Sequence, residues 1–395
     1  MTAPLIFLLA GEPSGDLLGA RIMAGLKAET DGAVRFAGVG GERMQAEGLQ
    51  SLFPMEDLTQ FGLAELLPKL PLLLRRLAQA TQAILAARPD AVVTIDAPDF
   101  CNRVAARVRR ANPSLRLIHC VAPNVWAWRP GRAAKLARFL DHLLALLPFE
   151  PPFFEREGLA CTYIGHPMVE SDAGKGDGAA FRARHGIAPG APVLAVLPGS
   201  RHSEVSRLLG DFGAALARLA PRHPGLTVVV PTVTHVAGEV SAAAAGWPVR
   251  TIVVRGDREK YDAFAAADAA LAASGTVTLE LALARVPSVI AYRIHPLTYL
   301  LYRRLIRVRF VGLVNLLADR AIVPELLQGD CTPDKLAAAV DGLLSDVAAR
   351  SRQINELSNV ARWLGEGEVA PSRRAAHTIL AVIGASAPQV REGLG

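Results

Sequence analysis

Two short turns in the second half of the chain carry residues suited to binding phosphate. Each turn follows an apolar strand candidate: Val193–Leu197 leads into Pro198-Gly-Ser-Arg201, and Ala269–Ala272 leads into Ala273-Ser-Gly-Thr276. Their glycines allow close backbone approach, and a helix start offers free N–H groups that favour an anion. A carboxylate in the following helix is suited to a ribose hydroxyl. The pattern predicts a nucleoside diphosphate site formed by Ser200, Arg201, Ser274, Gly275, Thr276 and Glu280.

Acidic side chains follow two strand candidates in the first half of the chain. Asp96 comes directly after Ala91–Ile95 and is the candidate general base, while Asp99 is the alternative base or the cap of the next helix. The turn after the first strand, Leu5–Ala10, is also rich in glycine and acid, and a helix-capping role for Asp16 is an equal alternative. The residues expected on the substrate side are Gly11, Glu12, Ser14, Gly15, Asp16 and Asp99.

Aromatic and cationic residues alternate in the segment 123–132. Two of the four tryptophans of the chain lie here, next to Arg129 and Arg132. Aromatic residues two positions apart can be ordinary core packing, but the neighbouring arginines favour contact with a sugar or a phosphate. We therefore add Trp126 and Arg129 to the substrate side.

Alternating strands and helices must position these residues. Continuous apolar strands separated by helical patterns recur along 395 residues, which predicts parallel sheets covered on both faces. The length favours two α/β domains, Rossmann-like and facing each other across a cleft. We expect a substrate-binding and membrane-facing domain over 1–168, a nucleotide-binding domain over 169–348, and C-terminal helices packing back on the body over 349–395, with a frayed tail.

Composition narrows the class of protein. The four cysteines have no metal-binding or disulfide-type spacing, which favours a reducing, cytoplasmic location. The N-terminus has no basic region before its apolar run and is interpreted as a strand rather than a signal peptide. A net charge of +6 fits anionic ligands or an anionic bilayer surface, and no nucleic-acid-binding module is recognisable.

A leucine-rich segment, 63–77, carries cations at its edge and is too short and too charged to span a bilayer. A core helix is one interpretation; the other is a helix that dips leucines into a membrane interface beside anionic headgroups. A second apolar and basic run, Tyr299–Phe310, is a further membrane candidate. The expected membrane contacts are Leu70, Leu73, Leu74, Arg75 and Arg76.

Motifs along most of the chain resemble those of lipid-A-disaccharide synthases. The carrying segments, in order, are Ala10–Asp16, Arg43–Gly48, Ile95–Phe100, Val125–Arg129, Leu147–Glu150, Gly165-His166, Leu197–Arg201, Ser274–Glu280 and Asn315–Leu317. One departure is Cys101, where the family usually has Asn directly after Asp-Phe; here Asn102 follows one place later.

The resemblance implies a GT-B-type, inverting glycosyltransferase. Because Arg201 and the helix starts can bear the charge of the leaving group, and no DxD motif is present, we expect no metal, and we expect no cofactor. The resemblance also implies transfer of 2,3-diacylglucosamine from UDP-2,3-diacylglucosamine to the 6-hydroxyl of 2,3-diacylglucosamine 1-phosphate, at the cytoplasmic face of the inner membrane. Tyr292 and Asn315 are expected to complete the donor site, although Tyr292 also fits an ordinary buried edge aromatic. The sequence does not determine the oligomeric state, and a homodimer is one option. The alternatives are an enzyme like UDP-N-acetylglucosamine 2-epimerase and a membrane-associated UDP-binding protein without turnover.

Overall fold

The computed structural model describes residues 3–58, 63–295, 299 and 308–384. The chain forms two compact units: residues 1–167 with 368–395, and residues 168–367. The expected third segment, 349–395, is therefore divided between the two units rather than forming one group of helices. Most of the second membrane candidate, 299–310, lies outside the described residues, and so does all of the tail, 385–395.

The first unit is built on a six-stranded parallel sheet. Its strand order is β2-β1-β3-β4-β5-β6. The chain adds β2 on one side of β1 and then returns to add β3 on the other side, so the strand order reverses between β1 and β3. Ala10 pairs with Ile95, which brings the carboxyl ends of β1 and β3 level. The strands are β1 (Leu5–Ala10), β2 (Arg35–Val39), β3 (Ala91–Ile95), β4 (Arg116–Cys120), β5 (His142–Ala145) and β6 (Ala160–Tyr163).

Helices cover this sheet, with a short 3₁₀ turn at Met55–Leu58. A further 3₁₀ turn, Pro167–Glu170, lies where the chain passes into the second unit. The longest helix contains Pro68 and Pro71; it begins at the start of the leucine-rich segment and continues beyond that segment to Ala87. The helices are α1 (Pro13–Glu29), α2 (Glu42–Ala46), α3 (Leu63–Ala87), α4 (Pro98–Ala111), α5 (Arg132–Ala137) and α6 (Pro151–Glu155).

The second unit repeats the architecture with a sheet of order β12-β11-β10-β7-β8-β9, again all parallel. Its central strands are fully buried, which explains their unbroken apolar sequences. The strands are β7 (Val193–Leu197), β8 (Thr227–Thr232), β9 (Arg250–Arg255), β10 (Ala269–Ala273), β11 (Ser288–Tyr292) and β12 (Glu325–Leu327).

Within the described residues, the remaining helices are α7 (Gly178–Arg184), α8 (His202–Leu219), α9 (Ala237–Ala244), α10 (Asp257–Ala266), α11 (Val277–Leu283), α12 (Leu313–Ala318), α13 (Pro333–Ser345), α14 (Val347–Trp363) and α15 (Pro371–Val382), with 3₁₀ turns at Thr234–Val236 and Gln328–Asp330. Helix α15 belongs to the first unit and packs on α1, where Glu29 pairs with Arg373 and His377. Two parallel sheets with helical layers confirm the prediction of two Rossmann-like domains.

Candidate functional site

A cavity of 620 Å³ opens at the carboxyl ends of four neighbouring strands of the second unit, β10, β7, β8 and β9. In doubly wound sheets this edge is where ligands bind. The cavity brings together six residues that the sequence predicted for a nucleotide site: Ser200, Arg201, Ser274, Gly275, Thr276 and Glu280.

Glycine is required at the first of the two turns. Gly199 has φ of 115°, a conformation that side chains rarely adopt, and a Cβ there would lie 2.8 Å from the Glu204 side chain. In the second turn, a Cβ on Gly275 would meet no atom within 4 Å. The fold therefore requires glycine in the first turn. In the second turn, the space beside the Gly275 backbone is open, so a ligand in the cavity can approach it closely.

Glu204 organises the arginine at the cavity mouth. Its carboxylate accepts hydrogen bonds from the backbone N–H groups of Ser200 and Arg201, at 3.2 and 3.4 Å, and pairs with the Arg201 guanidinium at 3.0 Å. The Arg201 side chain remains 79% exposed, so most of its donors face solvent. The arrangement caps α8 and presents a cation at the same point.

A second cation is fixed deeper in the cavity wall. The Lys260 ammonium lies 2.9 Å from Glu280 Oε1 and 3.0 Å from Asp257 Oδ1. Burial acts to lower the pKa of Lys260, but the Glu280 and Asp257 carboxylates outweigh it and raise that pKa above its ordinary value. Tyr261 also donates to Glu280 Oε1, at 3.3 Å. Lys260 is therefore a permanent cation, and Glu280 is held in one orientation.

Two residues predicted for this site do not line the cavity, although Tyr292 lies near Glu204 and Arg201. Asn315 is fully buried; its amide donates to Val323 O and Glu325 Oε1, and its oxygen accepts from the N–H groups of Ile322 and Val323. The expectation that Asn315 contacts the donor is wrong, because its side chain ties α12 to the segment entering β12. Tyr292 ends β11 half-buried and does not line the cavity.

Sequence reasoning missed several cavity residues. Arg255, Asp257 and Lys260 come from the end of β9 and the start of α10. The signal was present, because Gly256-Asp257 follows a β-branched strand in the manner of the two turns already identified.

In the first unit, Ser14 and Asp96 meet at the carboxyl ends of β1 and β3. Ser14 Oγ donates to Asp96 Oδ2 at 3.3 Å, joining two turns that are distant in sequence. Gly11 and Gly15 permit this approach: a Cβ on Gly11 would lie 2.8 Å from Ala97 Cβ, and one on Gly15 would lie 3.3 Å from Ile95 O. The predicted base and the first turn of α1 thus form one site.

The backbone that carries Asp96 is strained. Asp96 and Ala97 both adopt left-handed conformations, with φ of 52° and 42°. Such conformations cost free energy in non-glycine residues and cluster at functional sites. Asp96 N–H donates to Cys120 O at 3.0 Å, which anchors the turn to β4. Asp99 lies exposed in the first turn of α4.

Asp16 does not cap the helix that follows β1, because it lies inside the first turn of α1. Its buried carboxylate accepts hydrogen bonds from the backbone N–H groups of Gly41, Arg43 and Met44 at 2.8, 3.0 and 3.0 Å. Asp16 therefore caps α2 and fixes the Gly40-Gly41 turn that follows β2, so its carboxylate is occupied by the fold. Glu12 directly precedes α1, whose first residue is Pro13.

The two tryptophans of the 123–132 segment have different roles. Trp126 donates to Glu150 Oε1 at 3.2 Å and packs edge-on against Phe149, so it ties this loop to the next one. Burial raises the pKa of Glu150 to about 7 despite these hydrogen bonds. The Arg129 guanidinium stacks over Trp128, which the prediction did not name, at 4.3 Å.

Only part of α3 matches the predicted membrane face. Leu70 and Leu74 are 42% and 46% exposed, and Arg75 is also exposed. Leu73 instead packs against the core, and Arg76 pairs with Asp57 at 2.8 Å and lies over the Phe53 ring. The prediction that Leu73 and Arg76 face a membrane is therefore wrong. No helix within the described ranges is long and apolar enough to cross a bilayer, and no group of three metal-ligating side chains occurs there.

Comparison with known proteins places these features in context. A family model described as lipid-A-disaccharide synthetase matches residues 6–378. Lipid-A-disaccharide synthase of Rhodospirillum centenum is 67% identical over 96% of this chain and 94% of its own length. The enzyme of the same name from Paramagnetospirillum magneticum is 55% identical, over 95% and 97% of the two chains.

Solved structures share the fold at low sequence identity. The glycotransferase of kitacinnamycin superposes with a TM-score of 0.64 at 18% identity, covering 97% of this chain and all of the other. UDP-GlcNAc 2-epimerase from Neisseria meningitidis, bound to UDP-GlcNAc, has a TM-score of 0.62 at 9% identity, covering 96% and 99%. The two-domain GT-B architecture is thus shared by transferases and epimerases.

Proposed function

Because the chain belongs to the lipid-A-disaccharide synthetase family and is a glycosyltransferase, we propose that it joins two acylated glucosamines. The donor is UDP-2,3-diacylglucosamine, and the acceptor is 2,3-diacylglucosamine 1-phosphate. The products are a β-1′,6-linked disaccharide 1-phosphate and UDP. The observation that carries the assignment is the cavity at the β10-β7-β8-β9 edge, which joins the two predicted glycine turns to three cations, Arg201, Arg255 and Lys260.

The cavity residues suit the UDP part of the donor. Arg201 supplies a forked, exposed cation and Lys260 a permanent one, and both can balance the charge of a diphosphate. Open backbone at Gly275 permits close approach of phosphate oxygens. Glu280 has Oε1 engaged by Lys260 and Tyr261, and its other oxygen is assigned to a ribose hydroxyl.

The chemistry is a single displacement with inversion. The acceptor 6-hydroxyl oxygen attacks the anomeric carbon of the donor as the bond from that carbon to the UDP oxygen breaks. Asp96 takes the hydroxyl proton, and Ser14 orients its carboxylate. Arg201 and Lys260 stabilise the negative charge that develops on UDP. Fixed protein cations thus perform the role that a divalent metal would otherwise have.

We expect the purified protein to release UDP when both acylated sugars are supplied, and to do so equally well with excess chelator. UDP formation measured with donor alone, with both substrates, and with both substrates plus chelator separates the possibilities. Release of UDP that depends on the acceptor supports the transferase. Binding of UDP without turnover would instead favour the non-catalytic alternative, and chelator inhibition that magnesium or manganese reverses would contradict metal independence.

The acyl chains of both substrates favour attachment to the cytoplasmic face of the inner membrane through α3. Leu70 and Leu74 project from one face with Arg75 beside them, a pattern typical of helices that lie in an interface. Leu73 is excluded, because it packs against the core.

We expect the double variant Leu70→Ser/Leu74→Ser to lose most of its binding to anionic liposomes in a sedimentation assay. Both side chains are largely exposed, so the melting temperature should stay close to that of the parent. Val347→Ser in the second unit, which removes another exposed apolar side chain, serves as the control. Parental liposome binding by the double variant, or its unfolding, would assign α3 to the core alone.

A further inference from the structure

A basic groove of 450 Å³ lies in the first unit, between α3, α4 and α5, and the mechanism above does not use it. Five cations line it against a single acid, Asp99. Its apolar wall comes from Leu74 and Leu77 of α3 with Leu136 and Phe139. The cations are Arg103, Arg107, Arg110, Arg132 and Lys135.

Helix α4 forms the floor of this groove through its periodicity. One face of the helix lines the groove, through residues 98–99, 102–103, 106–107 and 110. The opposite face is buried in the core, through Cys101, Val104, Ala105 and Val108. The groove therefore follows one helix face for about 18 Å, at about 1.5 Å per residue. It begins at Pro98, two residues after the candidate base. A ligand in this groove would extend away from Asp96.

Asn102 supplies a second, independent indication of a ligand. Its side chain lines the groove, and its Oδ1 is buried without a hydrogen-bond partner in the structure. Buried polar atoms are normally paired, so this oxygen lacks a donor. The neighbouring Cys101 is fully buried and contacts Leu9 O, so the amide that faces the groove is that of Asn102.

We propose that this groove binds the phosphate and the sugar ring of the phosphorylated acceptor. The cations hold the phosphate, Asn102 Oδ1 accepts from a hydroxyl or amide of the sugar, and Leu74 and Leu77 contact the first part of an acyl chain. The inference rests on the proposed function, because it assigns the acceptor end of that reaction. Recognition of the phosphate fixes which end of the acceptor points away from Asp96.

A phospholipid headgroup of the bilayer also carries a phosphate and is the alternative ligand for this groove. The groove fits the acceptor better for two reasons. Its cations lie on α4 and α5 around a concave space, rather than on the exposed face of α3. The unpartnered Asn102 oxygen needs a hydrogen-bond donor, and the sugar ring of the acceptor carries hydroxyl and amide donors next to its phosphate.

The test compares two acceptors that differ only in the phosphate. Turnover is measured in detergent micelles, without a bilayer, with 2,3-diacylglucosamine 1-phosphate and with 2,3-diacylglucosamine. In Arg103→Gln/Arg107→Gln/Lys135→Gln we expect kcat/KM for the phosphorylated acceptor to fall roughly 100-fold or more, mainly through KM. The kcat/KM for the unphosphorylated acceptor and the kcat/KM for the donor should stay within about twofold of the parental values. Arg116→Gln, an exposed arginine outside the groove, is the matched control.

An unchanged preference for the phosphorylated acceptor would overturn the proposal. So would a triple variant that keeps this preference in micelles but loses binding to anionic liposomes, because the groove would then hold bilayer headgroups. If the triple variant does not fold, Arg107→Gln alone decides, with an expected loss of about tenfold.

Direct binding of the phosphorylated acceptor, measured without donor, separates this inference from the proposed function. Binding that the triple variant loses, combined with no UDP release by the parent protein, would contradict the transferase reaction and support the groove. UDP release by the parent protein, combined with an unaltered preference of the triple variant for the phosphorylated acceptor, would support the transferase reaction and contradict the groove.

Discussion

Replacement of Asp96 by Asn is expected to lower turnover by about 10²–10⁴-fold while UDP affinity stays nearly unchanged. The amide keeps the size of the side chain and its hydrogen bond with Ser14, but it cannot accept the proton of the acceptor hydroxyl. Asn also tolerates the left-handed backbone that Asp96 adopts, so the fold should be retained. Steady-state UDP release and calorimetric UDP binding measure the two quantities.

Asp31→Asn is the matched control for this experiment. Asp31 belongs to the same unit, is exposed, and has φ of 50°, so the substitution changes charge in the same backbone conformation away from the site. We expect parental turnover from this variant. Near-parental turnover by Asp96→Asn would transfer the role of base to Asp99, the next carboxylate along the chain.

Replacement of Arg201 by Ala is expected to weaken UDP binding by roughly 1.5–3 kcal/mol, or about 10- to 100-fold. The guanidinium is an exposed cation at the mouth of the cavity, and its loss leaves the capping contacts of Glu204 with the backbone in place. Stability should therefore change little. Isothermal titration calorimetry with UDP gives the affinity directly.

Arg218→Ala provides the comparison within the same helix. Arg218 is also exposed and also pairs with a carboxylate, that of Asp334 at 2.6 Å, but it does not line the cavity. Loss of this arginine should leave UDP affinity at the parental value. Equal affinities for the Arg201 variant and the parent would remove Arg201 from the donor site.

Sequence by itself determined the architecture and the main parts of both sites. Buried parallel strands need continuous apolar sequence, so the central strands of both sheets stand out, and the turns after them are marked by glycine and polar residues. The turns at Pro198–Arg201 and Ala273–Thr276 line one cavity for this reason. Asp96 is the candidate base because it directly follows such a strand.

Short edge strands were decided only by the tertiary structure. Strands β6 and β12 have four and three residues and lie at the ends of their sheets, where a brief, partly exposed segment gains its hydrogen bonds from a neighbour rather than from its own pattern. The division of the C-terminal helices between the two units has a similar origin. Close contact of α15 with α1 depends on Gly25, where a Cβ would lie 2.6 Å from Ser372 O.

The roles of individual polar residues also depended on the tertiary structure. Asp16 and Asn315 have residue types that suit a ligand, but backbone N–H groups brought to them from distant or looped segments occupy their oxygens. Sequence identifies the chemistry that a side chain can perform. Burial and the partners that folding brings near it decide whether that side chain supports the fold, as these two do, or faces a cavity, as Lys260 and Asn102 do.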